Sequence, residues 1–153
     1  MAKSSSKQVS LPFLTDLIVF NYDDVSFTLR GVRKIRPWIS DSITKEKKEL
    51  GFISITLCSD KTLLSINKKH LQHDYYTDII TFDFCEGDLI SGDLYISIDR
   101  VKENAKGERN TMNQELKRVI IHGVLHLCGY KDKTPKDARQ IREMEDYYLS
   151  LFP

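Results

Sequence analysis

The sequence lacks the features that mark several special classes of protein. Its longest apolar runs extend over only a few residues, such as 17–20 and 119–121, whereas a membrane-spanning helix needs about 20. Three cysteines stand far apart with no CxxC pair, which excludes a disulfide framework and favours a reducing compartment. Basic and acidic residues nearly cancel, at 23 and 22, so no overall field draws the chain to nucleic acid or anionic lipid. We therefore expect a cytoplasmic protein with no membrane segment.

The length and composition are those of an ordinary folded domain. A chain of 153 residues corresponds to about one domain. The hydrophobic fraction of 41% and charged fraction of 29% exclude a wholly disordered chain. The opening MAKSSSKQVS has no apolar stretch of the kind found in secretory signals. We expect residues 1–12 to form a disordered tail and residues 13–153 to form a single domain.

The spacing of apolar residues predicts a mixture of strands and helices. Short β-branched runs predict four strands, the last two as a hairpin, at 17–22, 51–58, 78–84 and 92–98. Capping residues predict where helices begin: Ser59 or Asp60, Asp99, Thr111 with Gln114, and Thr134 with Pro135. A helix over residues 29–39 is expected to be kinked or shortened by Pro37. This order predicts an α+β (mixed α/β) fold, with helices packed on a small sheet of about four strands.

Two histidines in the most apolar predicted helix indicate metal chemistry. His122 and His126 are four residues apart, so both rings project from one helical face and can share a metal ion. The same spacing also occurs among core histidines that bond to backbone carbonyls. Gly129 ends the helix, and the turn after it can bring Asp132 to the same point. Zinc with three protein ligands keeps a fourth position for water, which is typical of hydrolases.

The residue after the first histidine argues against one class of zinc hydrolase. Zinc proteases carry the motif HExxH, in which the glutamate is the general base. Gly123 takes that place here, so a peptidase would lack its proton acceptor. Proteolysis is therefore not expected.

Three segments of the chain match the motifs of one known family. The string HGVLHLCGYKD resembles HGxLHLxGYDH, the signature of the YbeY family, whose members are zinc-dependent endoribonucleases of ribosomal RNA maturation. The string INKKHLQHDYYTDIITFDF resembles the family segment LNxxxRxxxxxTDVLSF, and SGDLYISIDRVKENA resembles its GDIxIS strand and following helix. Together these segments lie within Ile66–Asp132.

The resemblance implies roles for particular residues. His122 and His126 match two metal ligands of the family, and Asp132 stands where the family has its third histidine. It implies one Zn²⁺ per chain, held by these three residues on a central helix. Thr77 and Asp78 match the active-site segment, which implies that they are catalytic.

The substrate-binding side of the segment departs from the family at one position. Asn67 matches the family asparagine, but Leu71 stands where the family has an arginine. An arginine in a cleft can bind phosphate through two hydrogen bonds, whereas leucine cannot. His70 and His73 lie nearby in the sequence, and we expect them to approach the phosphodiester together with Asn67.

Taken together, these residues predict that 13–153 is a single zinc hydrolase domain. We expect a single-strand-directed zinc endoribonuclease of ribosomal RNA maturation and ribosome quality control, with ribosomal RNA and the small ribosomal subunit as partners. One alternative is a non-catalytic, ribosome-associated RNA-binding module whose zinc is structural. A second is a zinc hydrolase for another small substrate, with the resemblance limited to the fold.

Overall fold

The computed structural model describes residues 14–153, so the predicted tail over 1–12 lies outside the described residues. Along the chain the strands and helices are β1 (Ile18–Tyr22), α1 (Val32–Lys45), β2 (Glu49–Cys58), α2 (Asp60–Leu71), β3 (Ile79–Asp83), β4 (Leu89–Ser97), α3 (Ile98–Gly107), α4 (Met112–Leu127) and α5 (Pro135–Ser150). The predicted α+β class is confirmed. Within 14–153, every helix is too short or too polar to cross a membrane.

The four strands form one sheet in the order β1-β2-β4-β3. β2 pairs in parallel with β1 on one side and with β4 on the other. β3 pairs antiparallel with β4, which confirms the predicted hairpin. Because β2 and β4 are parallel, their carboxyl ends lie at the same edge of the sheet, where α2 and α3 begin.

Side-chain caps begin most of the helices where the sequence predicts them. The hydroxyls of Ser59 and Thr134 each accept a hydrogen bond from a backbone N–H three residues later, and Thr111 forms a full capping box with Gln114. The prediction that Asp99 caps α3 is wrong. β4 runs directly into α3, so the last residue of the strand, Ser97, is the N-cap. Its hydroxyl accepts a hydrogen bond from the Arg100 N–H.

Two further predictions concern helix α1 and the cysteines. α1 continues through Pro37 to Lys45, so the proline does not shorten it. All three cysteines are free thiols, and Cys58 is fully buried. The free thiols show that no disulfide links the described residues 14–153.

Helix α4 lies at the centre of the main core. It buries seven apolar side chains, each worth about 1.5–3 kcal/mol, against the sheet, α1 and α5: Leu116, Val119, Ile120, Ile121, Val124, Leu125 and Leu127. Gly123 faces the sheet so closely that an added Cβ would lie 2.7 Å from Ile79 Cδ1 and 3.0 Å from Leu94 Cδ1. Gly123 therefore allows the helix to approach the sheet, and a glutamate at this position would have to displace core side chains.

Candidate metal centre

The three predicted ligands lie together at the carboxyl end of α4. His122 Nε2 and His126 Nε2 are 3.0 Å apart, and Asp132 Oδ2 lies 3.3 Å from the first and 3.2 Å from the second. Tetrahedral zinc with bonds of about 2.0–2.1 Å places its ligand atoms roughly 3.3 Å from one another. The three atoms thus form a triangle of the size that one such ion requires.

The hydrogen bonds of the Nδ1 atoms of His122 and His126 determine that the Nε2 atoms are free to bind a cation. His122 Nδ1 donates to Glu145 Oε2 at 2.5 Å, and His126 Nδ1 donates to the Tyr130 carbonyl at 2.9 Å. A carboxylate and a carbonyl can only accept, so in each neutral ring the proton is on Nδ1. Both Nε2 atoms and the Asp132 carboxylate are then acceptors that face one another. A cation, either an added proton or a metal ion, satisfies three acceptors at this spacing.

Glu145 is the buried support of His122. It is only 3% exposed, and its other oxygen, Oε1, accepts from Arg118 Nη1 at 2.9 Å. Burial lowers the pKa of His122, but the hydrogen bond and charge of Glu145, with the charge of Asp132, outweigh burial and leave that pKa raised. A more basic imidazole is a better metal ligand, and such outer partners also orient the ring.

A tight turn carries Asp132 back to the histidines. Gly129 has φ of +110°, a backbone conformation that glycine adopts at little cost. The Tyr130 N–H then donates to the Leu125 carbonyl at 3.0 Å, which closes the end of α4. The Tyr130 hydroxyl donates to Glu46 just after α1, and Glu46 also accepts from Tyr148 near the end of α5.

Two clefts meet at this centre, and Asp78, His122 and Asp132 line both. The first, of about 460 Å³, lies between the end of α2, β3 and the centre. The second, of about 360 Å³, lies between α4 and α5. The Asp132 side chain is 43% exposed, so the centre is accessible from solvent, unlike a closed structural zinc site.

The predicted catalytic pair lies at the rim of the first cleft. Asp78 is half-buried next to His122, and its Oδ2 accepts a weak hydrogen bond from Asn104 Nδ2 at 3.4 Å. Burial raises the pKa of Asp78 against the opposing charge of His122. The Thr77 hydroxyl donates to the Ile79 carbonyl at 3.4 Å. Both residues are thus placed where a substrate can reach them, and their catalytic roles stay predictions.

The predicted substrate-binding residues occupy different positions. The side chain of Asn67 is buried, and its Nδ2 donates to the Tyr75 carbonyl at 2.9 Å, so it holds the segment after α2. His73 lines the first cleft, whereas His70 lies edge-on to Phe82 and is not among the lining residues. Direct contact between these three residues and a substrate stays a prediction.

Sequence reasoning missed two buried carboxylates beside the centre. Glu145 has no sequence signal, since it is one of several charges on a polar helix. Glu115 on α4 is 5% exposed and lines the second cleft, and its Oε1 has no hydrogen-bond donor within 14–153. Burial raises the pKa of Glu115.

Comparisons with known proteins show which family the chain is similar to. The family model described as Endoribonuclease YbeY matches residues 13–152. A protein of that name from Flavobacterium psychrophilum is 48% identical over 136 residues, which cover 89% of this chain and 96% of that protein. Another, from Cytophaga hutchinsonii, is 47% identical over 137 residues, with the same coverage of both chains.

The chain belongs to the YbeY family. The resemblance seen in the sequence is thereby confirmed. The solution structure of a protein from Thermotoga maritima has the same fold, with a TM-score of 0.61 and 26% identity over 86% of this chain and 87% of that one. In this YbeY chain Asp132 departs from the family signature, yet its carboxylate still converges with the two imidazoles and completes a group of three residues that could hold a metal ion.

Proposed function

We propose that this YbeY-family endoribonuclease binds one Zn²⁺ through His122, His126 and Asp132 and hydrolyses phosphodiester bonds of single-stranded ribosomal RNA. The observation that carries the proposal is the convergence of three acceptor atoms, 3.0–3.3 Å apart, whose ring tautomers are set by outer hydrogen bonds. Two nitrogens and one carboxylate oxygen are a ligand set that zinc accepts, and three ligands are typical of its catalytic sites.

The chain's own residues supply the remaining parts of a hydrolytic site. Zinc at this point would supply Lewis acidity and lower the pKa of water. Glu145 and Tyr130 orient the two rings from behind. Asp78 lies beside His122 with a raised pKa, so its carboxyl group is suited to hold or release a proton nearer neutral pH than an exposed aspartate. We infer that Thr77 contacts the phosphate from the rim of the same cleft.

The shape of the centre supports single-stranded RNA as substrate. The ligands lie at the junction of two clefts, and a flexible strand can bend into such a junction. A stiff A-form duplex instead presents its phosphates along a broad surface. Family membership supports ribosomal RNA maturation and ribosome quality control in the cytoplasm, with the small ribosomal subunit as partner, and residues 13–153 as one zinc hydrolase domain.

The non-catalytic alternative predicts a different type of centre. A structural zinc is normally enclosed by four protein ligands, whereas three converge here and Asp132 is 43% exposed. Leu71, in place of a cleft cation, is the feature that favours an RNA-binding module. Measuring zinc content and RNA cleavage on the same samples separates the two functions.

The test compares the wild-type chain with His122→Ala, Asp132→Ala and a matched control, Asp41→Ala, whose carboxylate is exposed on α1 and outside the centre. We expect about one zinc per wild-type chain, loss of zinc and of cleavage in the first two variants, and neither loss in the control. Chelation should stop cleavage, and added zinc should restore it. Cleavage that survives complete removal of zinc would refute the proposal, and zinc binding without cleavage would favour the non-catalytic module.

A further inference from the structure

Two stacked rings, Tyr75 and His73, stand at the wall of the first cleft. Their ring centroids are 5.1 Å apart and their planes differ by 20°. The Tyr75 hydroxyl and His73 Nδ1 are also 2.9 Å apart, within hydrogen-bond distance. This is the one ring contact of Tyr75 within 14–153, and the residue is 55% exposed. A large aromatic surface is therefore open to solvent beside the metal centre.

The backbone beneath the two rings is held in place. Asn67 Nδ2 donates to the Tyr75 carbonyl at 2.9 Å, and the His73 N–H donates to the Asn67 carbonyl at 3.1 Å. Gln72 adopts a left-handed conformation, φ +57°, which turns the chain sharply after α2. Because Asn67 is buried, the rings stand on a fixed base. A fixed ring loses little conformational freedom when a ligand stacks on it.

The neighbouring Tyr76 contacts an arginine instead of lining the cleft. It is 53% exposed, but the Arg100 guanidinium lies 4.9 Å from its ring centroid and it is not among the residues that line the cleft. Tyr75 and His73 do line the cleft, together with Leu71 and the three candidate ligands. The two adjacent tyrosines thus differ in whether they face the metal centre.

The charges of the cleft also indicate how it can hold RNA. Neither lysine nor arginine is among its described lining residues, while three aspartates are: Asp78, Asp83 and Asp132. Ion pairs with phosphate therefore cannot supply the affinity at the cleft wall. Stacking of bases on aromatic rings does not depend on such charges, and every nucleobase has a face that can stack.

We propose that Tyr75, backed by His73, is a stacking platform for an unpaired nucleobase of the RNA strand whose phosphodiester lies at the metal centre. This inference rests on the proposed function. A base within a duplex has both faces covered by its neighbours, whereas an unpaired base can leave the strand and take the open ring. The platform would therefore make the cleft select single-stranded segments.

The experiment uses zinc-loaded protein and a single-stranded oligoribonucleotide that carries 2-aminopurine, whose fluorescence is quenched by stacking. Tyr75→Ala should weaken binding by about 5- to 150-fold and abolish the quenching, with a higher KM and an unchanged kcat. Tyr75→Phe keeps the ring and should bind like the wild type. Tyr76→Ala is the matched control and should also bind like the wild type. Melting curves show that each variant is folded.

A second arm removes the base instead of the ring. An oligonucleotide with abasic positions in the bound segment should bind the wild type as weakly as Tyr75→Ala binds the intact strand, and Tyr75→Ala should show no further loss. Equal binding of the intact strand by wild type and Tyr75→Ala would overturn the platform, as would an equal loss in Tyr76→Ala. If the platform fails in this way but cleavage still depends on zinc, the proposed function is still supported. Quenching that needs Tyr75 in a protein that cleaves nothing supports the platform and refutes the proposed function.

Discussion

Replacing Glu145 by glutamine tests whether the buried carboxylate supports the metal centre. The two oxygens of Glu145 accept from two different donors, His122 Nδ1 at 2.5 Å and Arg118 Nη1 at 2.9 Å. A glutamine has one acceptor oxygen, so it can satisfy only one of them. The substitution keeps the shape of the side chain and removes one charge-assisted hydrogen bond, whichever way the amide turns.

The size of the effect depends on that orientation. If the amide oxygen faces His122, the tautomer is kept but the ring loses its charged partner and becomes less basic. If the amide nitrogen faces His122, it must donate to Nδ1, and the proton moves to Nε2, where the metal should bind. Loss of such an outer partner costs about 10- to 100-fold in metal affinity, or roughly 1.4–2.7 kcal/mol. We expect a loss in this range for Glu145→Gln.

The assay is competition for zinc between the protein and a chromophoric chelator at neutral pH. Asp146→Asn is the matched control, because Asp146 accepts from Arg118 Nη2 at 2.7 Å and is not a hydrogen-bond partner of His122. The control should bind zinc within about twofold of the wild type, as expected for an exposed pair. An unchanged zinc Kd in a folded Glu145→Gln protein would refute the reasoning, and so would an equal loss in the control.

Three further predictions follow from burial and packing. Because burial raises the pKa of Glu115, its charge costs stability above the unfolded pKa near 4.5. Glu115→Gln should therefore raise the free energy of unfolding by about 1 kcal/mol at neutral pH. It should change nothing in acid, where Glu115 is protonated in both the folded and the unfolded state. Equal shifts of the melting temperature at the two pH values would contradict this. Leu71 is 41% exposed in the first cleft, so Leu71→Arg should keep the wild-type melting temperature. The variant should bind RNA with a steeper salt dependence than the wild type. An unchanged salt slope would count against RNA in this cleft. Gly92→Ala should lower the free energy of unfolding by about 1–3 kcal/mol, since its Cβ would lie 2.5 Å from the Phe82 carbonyl oxygen. Gly107→Ala is the control, because its Cβ would meet open space, and it should melt like the wild type.

The convergence of the three candidate ligands could be predicted from the sequence because its geometry is local. Helical spacing aligns His122 with His126, and a glycine turn returns the chain to them within a few residues. The helix caps at Ser59, Thr111 and Thr134 were predictable for the same reason, since each hydroxyl bonds to a backbone group three residues later. The sequence favours Asp99 as a cap because the direct passage from β4 into α3, which makes Ser97 the cap, is not visible in the sequence.

The parts that escaped prediction depend on long-range packing. Glu145 lies 23 residues from His122, on a helix with several other carboxylates, and only the packing of α5 on α4 selects it. The order β1-β2-β4-β3 with parallel central pairs likewise depends on how helices cross the sheet. By contrast, the hairpin of β3 and β4 needs only a turn between two runs of strand residues.

The compact spacing of the three candidate ligands has a consequence for how the protein would acquire the proposed metal. All three lie between residues 122 and 132, so a bound ion would close a very short loop, and closing a short loop costs little chain entropy. A nascent α4 with its turn could then hold the ion before the sheet is assembled. Oriented binding would require the packing of α5 on α4, which brings Glu145 to His122. Capture of the metal would thus be a local event in folding, while its final affinity would report that the two helices have packed together.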